Sequence, residues 1–195
     1  TPPSGITPPS GHRESMLPLV DVGSRKFEEL CRDVIDVEFD FIVRKSLKRT
    51  SGVEQYGVDV EGFVTSGHPD VVISSKCYRK IDAWEFRLWI EDFTKHLSGH
   101  WNGRNVRHFV LAITVEANDD DMNAATTKLI AELKTKGIQF HLWDRYKITE
   151  LLLRRAHLID RYFNPFWREA LSADIEAATP SITGASNRGL AGLGP

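Results

Sequence analysis

Asp59, Glu61, Ser74 and Lys76 lie on two β-branched runs separated by the turn residues Gly67-His68-Pro69-Asp70. The runs read Val58-Asp59-Val60-Glu61-Gly62 and Val71-Val72-Ile73-Ser74-Ser75-Lys76. Such runs around a Gly/Pro turn predict a hairpin. Side chains alternate across a strand, so Asp59, Glu61 and Phe63 are expected on one face and Val58 and Val60 on the other. Val72, Ser74 and Lys76 share a face of the second strand. Neighbouring strands lie ~4.8 Å apart, which lets Asp59, Glu61, Ser74 and Lys76 converge on one spot. Carboxylate oxygens suit a hard cation, and an ammonium suits a phosphate.

Upstream of Asp59 the chain reads Gly52-x-x-Gln55-x-Gly57-x-Asp59. This stretch, with Lys76 closing the next strand, resembles the restriction-endonuclease-like superfamily known by its PD-(D/E)xK motif, and within it the Mrr-like branch. The resemblance extends over residues 24–155 by element order. It implies a metal-dependent endonuclease that hydrolyses phosphodiester bonds of DNA, with Mg²⁺ or Mn²⁺ as cofactor. Such domains serve as effectors of prokaryotic antiviral defence, often fused to or associated with a signalling module. The resemblance makes Asp59 a metal ligand and Lys76 the catalytic lysine. The family carries an acid or Gln two residues before the lysine, and Ser74 stands there in this chain. The family also carries a glutamate after a phenylalanine on its first helix, near the metal, and Phe27-Glu28 matches. Glu28 would reach the metal directly or through water, and Lys76 would hold the attacking water or the scissile phosphate. Glu61 is a further candidate ligand, replacing what Ser74 lacks; the other reading leaves it in solvent at a strand end broken by Gly62.

Arg44-Lys45-Ser46-Leu47-Lys48-Arg49 places four cations in six residues just before the proposed site. Formal net charge is −2, so nucleic-acid binding must come from a local patch of this kind. Arg44, Lys45, Lys48 and Arg49, with Gln55, Arg79 and Lys80, are the candidate nucleic-acid contacts, made to phosphates without reading sequence. Arg104, Arg107 and His108 could extend the patch. The alternative is a solvated loop. Trp101, beside His100 and Arg104, reads either as a base-stacking residue or as a Trp tucked under its own loop.

These residues need elements to position them. Ser24 is a suitable N-cap, and Phe27, Leu30, Cys31, Val34 and Ile35 follow at helical spacing. Glu28 shares the inward stripe with Cys31 and Ile35; Glu29 shares a water-facing stripe with Arg32, Asp33 and Asp36. Val37, Phe39, Phe41 and Val43 alternate and predict a first strand. Asp82 and Glu85 predict a capping box, followed by an apolar face of Phe86, Trp89, Ile90, Phe93 and Leu97. Residues 108–114 read as a central strand, and 118–136 as a helix stopped by Gly137. Ile138, Phe140 and Leu142 alternate as a fifth strand, and Asp144 caps a last helix. Tyr162, Phe163, Phe166 and Trp167 form an aromatic end segment that docks on the core or contacts whatever follows. The order predicts an α/β fold of the restriction-endonuclease-like type, with a mixed central five-stranded sheet flanked by helices.

A length of 195 residues suits one domain, expected over residues 21–168. Residues 1–20, with two Thr-Pro-Pro-Ser-Gly-like stretches, read as a disordered arm. Residues 169–195 read as a flexible tail or a linker to a further module. Two cysteines without a CxxC spacing favour neither a disulfide scaffold nor a zinc site. No apolar run approaches the ~20 residues of a membrane span, and no secretory signal is seen, so a cytoplasmic location is expected. No Gly-rich phosphate loop, HExxH pair or nucleophile elbow is present. One such site cuts one strand, so a homo-oligomer is expected when active. A rival from another class is a catalytically decayed module on the same fold, used for nucleic-acid binding or protein assembly.

Overall fold

The helical spacing of Phe27, Leu30, Cys31, Val34 and Ile35 is realised as the buried face of α1 (Ser24–Glu38). The computed structural model describes residues 16–48, 55–117 and 120–171. The cap of α1 is Gly23, at φ +79°, where a side chain would be strained; Ser24 is the first helical residue and not the cap. Asp33, expected in water, is buried. Its carboxylate takes Arg32 at 2.6 Å, Arg161 at 2.8 Å and the Tyr162 hydroxyl at 2.7 Å. Two of these partners are distant in sequence, so no local period could announce them.

Five strands form one sheet in the order β1 (Arg44–Leu47), β2 (Val60–Phe63), β3 (Val71–Lys76), β4 (His108–Ile113) and β5 (Gln139–Trp143). The first two pairings are antiparallel and the last two parallel, so the sheet is mixed. Helices α2 (Ala83–Thr94) and α3 (Asp120–Thr135) bury apolar side chains against one face, where Phe86, Phe93 and Leu129 meet Val72 and Leu111. Helices α1, α4 (Arg145–Leu153) and α5 (Ala156–Tyr162) cover the other, where Leu30, Ile148 and Ile159 meet Ile73 and Val110. This is the expected α/β class with a five-stranded mixed sheet between helical layers.

The first strand is displaced from its expected place. Val37 still belongs to α1, and Phe39 packs against the rings of His108, His141 and Trp143. Pairing begins at Arg44, opposite Phe63. The start of the cationic run, Arg44–Leu47, is therefore the edge strand itself, and charged side chains on an edge discourage pairing with another chain. Gly62 lies within β2, opposite Lys45 and Val71, and does not break the ladder. A Cβ there would come within 2.8 Å of Ile35 Cδ1, so glycine lets α1 approach the sheet.

The domain boundaries lie further out than expected. Leu17 and Leu19 are fully buried. Leu17 N–H donates to Thr149 Oγ1 at 3.3 Å, and Arg145 Nε donates to the Leu17 carbonyl at 2.8 Å. At the other end Trp167 and Leu171 are buried in the core, within a helical stretch at 166–171. Trp167 thus docks on the core. Residues 1–15 and 172–195 of the expected arm and tail lie outside the described residues. No helix among the described residues is long and apolar enough to cross a membrane.

Candidate functional site

Asp59 enters the sheet one residue before β2. Its N–H donates to the Ile73 carbonyl at 2.8 Å, and its carbonyl accepts from Lys48 N–H at 2.8 Å. The approach is a tight turn in which Tyr56 and Gly57 both adopt left-handed backbone, at φ +54° and +73°. A left-handed φ costs a tyrosine about 1 kcal/mol or more, and such strain often accompanies functional sites. The turn changes the alternation: Val58 packs on the α2 face with Val72, whereas Val60 packs on the α1 face with Ile73. The expected sharing of a face by Val58 and Val60 is thereby lost.

The partner of Asp59 is Ser75 and not Ser74. Asp59 Oδ2 accepts from the Ser75 N–H at 2.7 Å and from its hydroxyl at 2.9 Å. No described residue hydrogen-bonds Oδ1. In the parallel register Ser75 lies beside Ala112 on the α1 side, whereas Ser74 and Lys76 lie beside Leu111 and Ile113 on the α2 side. Asp59 is thus fastened to the residue directly before Lys76. Both line an open cleft of about 200 Å³ with Gln55, Tyr56, Gly57, Asp92, Lys95 and His96. Lys76 makes no ion pair with a described residue. Ser74 is 1% exposed, and its hydroxyl has no hydrogen-bond partner among the described residues.

Glu28 is half-buried on α1, one turn before Cys31. Burial, followed by the charges of Asp59 and Glu28, pushes the Cys31 thiol well above its ordinary pKa. Glu28 and Asp59 therefore approach a common neighbour from helix and sheet, although Glu28 does not line the cleft. Glu61 is engaged elsewhere: its Oε1 lies 3.2 Å from Lys48 Nζ, and it faces Val72 on the α2 side. The expected lean of Glu61 toward Asp59 is not seen. Lys48, its partner, is itself held over the rings of Tyr56 and Trp101.

The basic stretch is largely occupied with structure. Lys45 Nζ pairs with Asp36 at 2.9 Å. Burial raises the pKa of Asp36, but Lys45 and Arg155 outweigh it and hold that acid below its ordinary value. Arg44 stacks over Phe63 at 3.8 Å. Arg107 pairs with buried Asp70 at 2.7 Å, Arg104 lies over Trp101 at 5.8 Å, and His108 meets His141. Arg49 and Gly52 lie outside the described residues. Gln55 Nε2 donates to the Lys48 carbonyl at 2.8 Å, bridging the two sides of the entry loop while it lines the cleft. Trp101 is buried and donates from Nε1 to the Tyr56 carbonyl at 3.3 Å, which is the tucked-under-loop reading. Arg79 and Lys80 remain exposed, Arg79 in a surface pair with Asp21 at 3.1 Å.

Asp92 is the residue that sequence reasoning missed. A Cβ on Gly57 would stand 3.2 Å from Asp92 Oδ2, so glycine at 57 lets α2 close over the turn. The signal lay in the helical wheel: Asp92 follows Trp89 by one turn and adjoins buried Phe93, so it is a carboxylate on a sheet-facing edge. Among the described residues, no group of three or more His, Cys, Asp or Glu side chains could hold a metal ion. Mg²⁺ keeps several waters and is commonly held by one or two carboxylates together with substrate phosphates. Asp59 Oδ1, which no described residue hydrogen-bonds, with Glu28 or with Asp92, whose Oδ1 is paired with Lys95, as second carboxylate, fits a site of that weak, substrate-completed kind. Compared with protein-family models and with curated proteins, the chain matches none.

Proposed function

We propose that this chain is a metal-dependent nuclease that hydrolyses phosphodiester bonds, with DNA as its substrate. The observation that carries the reading is that Asp59 and Lys76 share one open cleft. In it, Asp59 would hold Mg²⁺ or Mn²⁺, with Asp92 of the cleft or Glu28 from α1 contributing directly or through water. The ion when bound supplies an acidified water and neutralises charge on the phosphate. The Lys76 ammonium, a compact charge without a described ion-pair partner, binds the phosphate oxygens and stabilises the charge that develops on them. The Ser75 N–H and hydroxyl hold Asp59 in place, so the carboxylate is oriented before substrate arrives. The left-handed Tyr56–Gly57 turn brings the backbone close to Asp92. The resemblance to Mrr-like nucleases adds a role as an effector of prokaryotic antiviral defence, acting as a homo-oligomer.

A second reading is favoured by Ser74: with a buried hydroxyl in place of an acid, the domain binds nucleic acid without cutting it. Incubation of plasmid DNA and of RNA with the protein, at several concentrations and with Mg²⁺, Mn²⁺ or EDTA, separates the two. Metal-dependent nicking supports the nuclease. Retarded but intact nucleic acid under every metal supports the binding module.

A further inference from the structure

Beyond Lys76 the chain carries an exposed aromatic ring, Tyr78, set on Trp89, which packs against the α2-side core. Tyr78 is 46% exposed and stacks on Trp89, with ring centroids 5.2 Å apart and planes at 24°. Tyr78 is held rigidly by one buried hydroxyl. Thr114 Oγ1 accepts its N–H at 3.0 Å and donates to its carbonyl at 2.6 Å. Trp89 is fixed by α2, whose capping box pairs Glu85 N–H with Asp82 Oδ1 at 2.7 Å and Asp82 N–H with Glu85 Oε2 at 3.3 Å. Neither ring lines the cleft, but each sits on a segment that does. Tyr78 lies two residues past Lys76, and Trp89 one helical turn before Asp92, and both Lys76 and Asp92 line it.

Charge identifies what such a surface takes. Lys76, Arg79 and Lys80 lie along the same segment. Among the described residues, Lys80 has no ion pair and Arg79 has only an exposed pair with Asp21, of a kind worth little in water. The acids Asp82 and Glu85 are turned into the helix cap. Rigid aromatic faces beside cations suit a polyanion with flat apolar rings. Bases in a duplex already stack on each other, so only unpaired bases offer a free face.

We propose that Tyr78, stacked on Trp89, forms a stacking platform for unpaired bases of a single-stranded nucleic acid whose backbone runs along Lys76, Arg79 and Lys80. Resting on the nuclease reading, it narrows the substrate to single-stranded or locally opened strands at the cut.

The test is fluorescence anisotropy in EDTA with labelled oligothymidylate and oligouridylate of about 15 nucleotides, near the site size of other single-strand binders, and a duplex of the same length. The parent should bind the single strands more tightly than the duplex. Tyr78→Ala and Tyr78→Leu should each weaken single-strand binding about tenfold, in line with the ~1–3 kcal/mol of a base–aromatic stack, and leave duplex binding nearly unchanged. Tyr78→Phe should restore it. Lys80→Ala should weaken both forms alike, and more so at low salt. A preference between the two oligomers assigns the strand as DNA or RNA. Tyr78→Leu keeps apolar bulk against Trp89 while removing the aromatic face, which keeps the test open if Tyr78→Ala unfolds. Single-strand binding unaffected by both Tyr78 variants, or lost equally with duplex binding, would overturn the platform. Single-strand binding without metal-dependent cleavage would instead remove the nuclease reading and leave the platform standing.

Discussion

Lys48 Nζ lies 3.2 Å from Glu61 Oε1 and above the rings of Tyr56 and Trp101, 5.4 and 5.0 Å from their centroids. Both charged side chains are mostly shielded from solvent, at 21% and 13% exposure. Glu61 is therefore a structural partner, and the prediction follows. Glu61→Gln should leave metal-dependent cleavage within about threefold of the parent while lowering stability by about 1–2 kcal/mol, because a half-buried ammonium loses its counter-charge. Thermal melts and initial cleavage rates check this. A collapse of activity with unchanged stability would return Glu61 to the metal site.

Gly57 permits both its left-handed φ and the close approach of Asp92. Gly57→Ala should cost about 1 kcal/mol or more from backbone strain, and should push Asp92 from its place in the cleft. Its effect on cleavage should exceed its effect on stability by about tenfold when both are expressed as equilibrium or rate factors. Parent-like cleavage by a folded Gly57→Ala protein would show that Asp92 and the turn are bystanders.

The segment before α1 belongs to the domain. Leu17→Ala should destabilise by about 2–4 kcal/mol, the usual range for a buried leucine. Val43→Ala, at a position 82% exposed, should shift stability by less than about 0.5 kcal/mol. Urea denaturation of both variants checks the boundary, and equal small shifts would return residue 17 to the arm.

His108 Nδ1 and His141 Nε2 lie 3.1 Å apart, beneath Phe39 and between the charges of Arg107, Asp70, Glu38 and Lys147. Burial, then His108, pulls His141 down to about 4, with Lys147 adding to the fall and Glu38 opposing it. Burial and Arg107 lower His108 against Asp70. Burial, with Arg104, Lys48 and His96, brings His100 to about 4. Each folded pKa lies below the ~6.5 of an unfolded histidine, so the unfolded chain binds more protons in between. Stability should be fully present above about pH 6.5 and decline as pH falls toward 4. His141→Asn should flatten that decline between about pH 7 and 5, as read by denaturation midpoints. A decline of unchanged slope in the variant would contradict this.

Much of this was legible in the sequence because it is local. The period of Phe27 to Ile35, the capping box of Asp82 and Glu85, and the turn at residues 67–70 each announce their element within a few residues. The first strand failed because Val37 to Val43 alternate by coincidence across a helix end and a turn, while the true strand carries the cations of an edge. At the site, Asp59 and Lys76 were legible as a pair on adjacent strands. The parity change at Tyr56–Gly57, which turns Asp59 onto Ser75, was not. Strict alternation assumes an unbroken strand, and a pair of left-handed residues just upstream suspends it. Lys48 with Glu61, and Asp33 with Arg161, are partners chosen by tertiary approach, which no spacing encodes.

The central claim is that Asp59 and Lys76 hydrolyse phosphodiesters together, and single-turnover cleavage of a labelled oligonucleotide tests it most directly. Parent, Asp59→Ala and Lys76→Ala proteins are compared in Mg²⁺ and Mn²⁺, each with its melting midpoint. Metal-dependent cleavage by the parent is predicted, with a loss of about a hundredfold or more in each variant, the scale expected when a metal ligand or a charge-stabilising group is removed. The melting midpoint should fall little for Lys76→Ala. Cleavage by either variant at the parent's rate, or a parent that cuts nothing under any metal, would contradict the account.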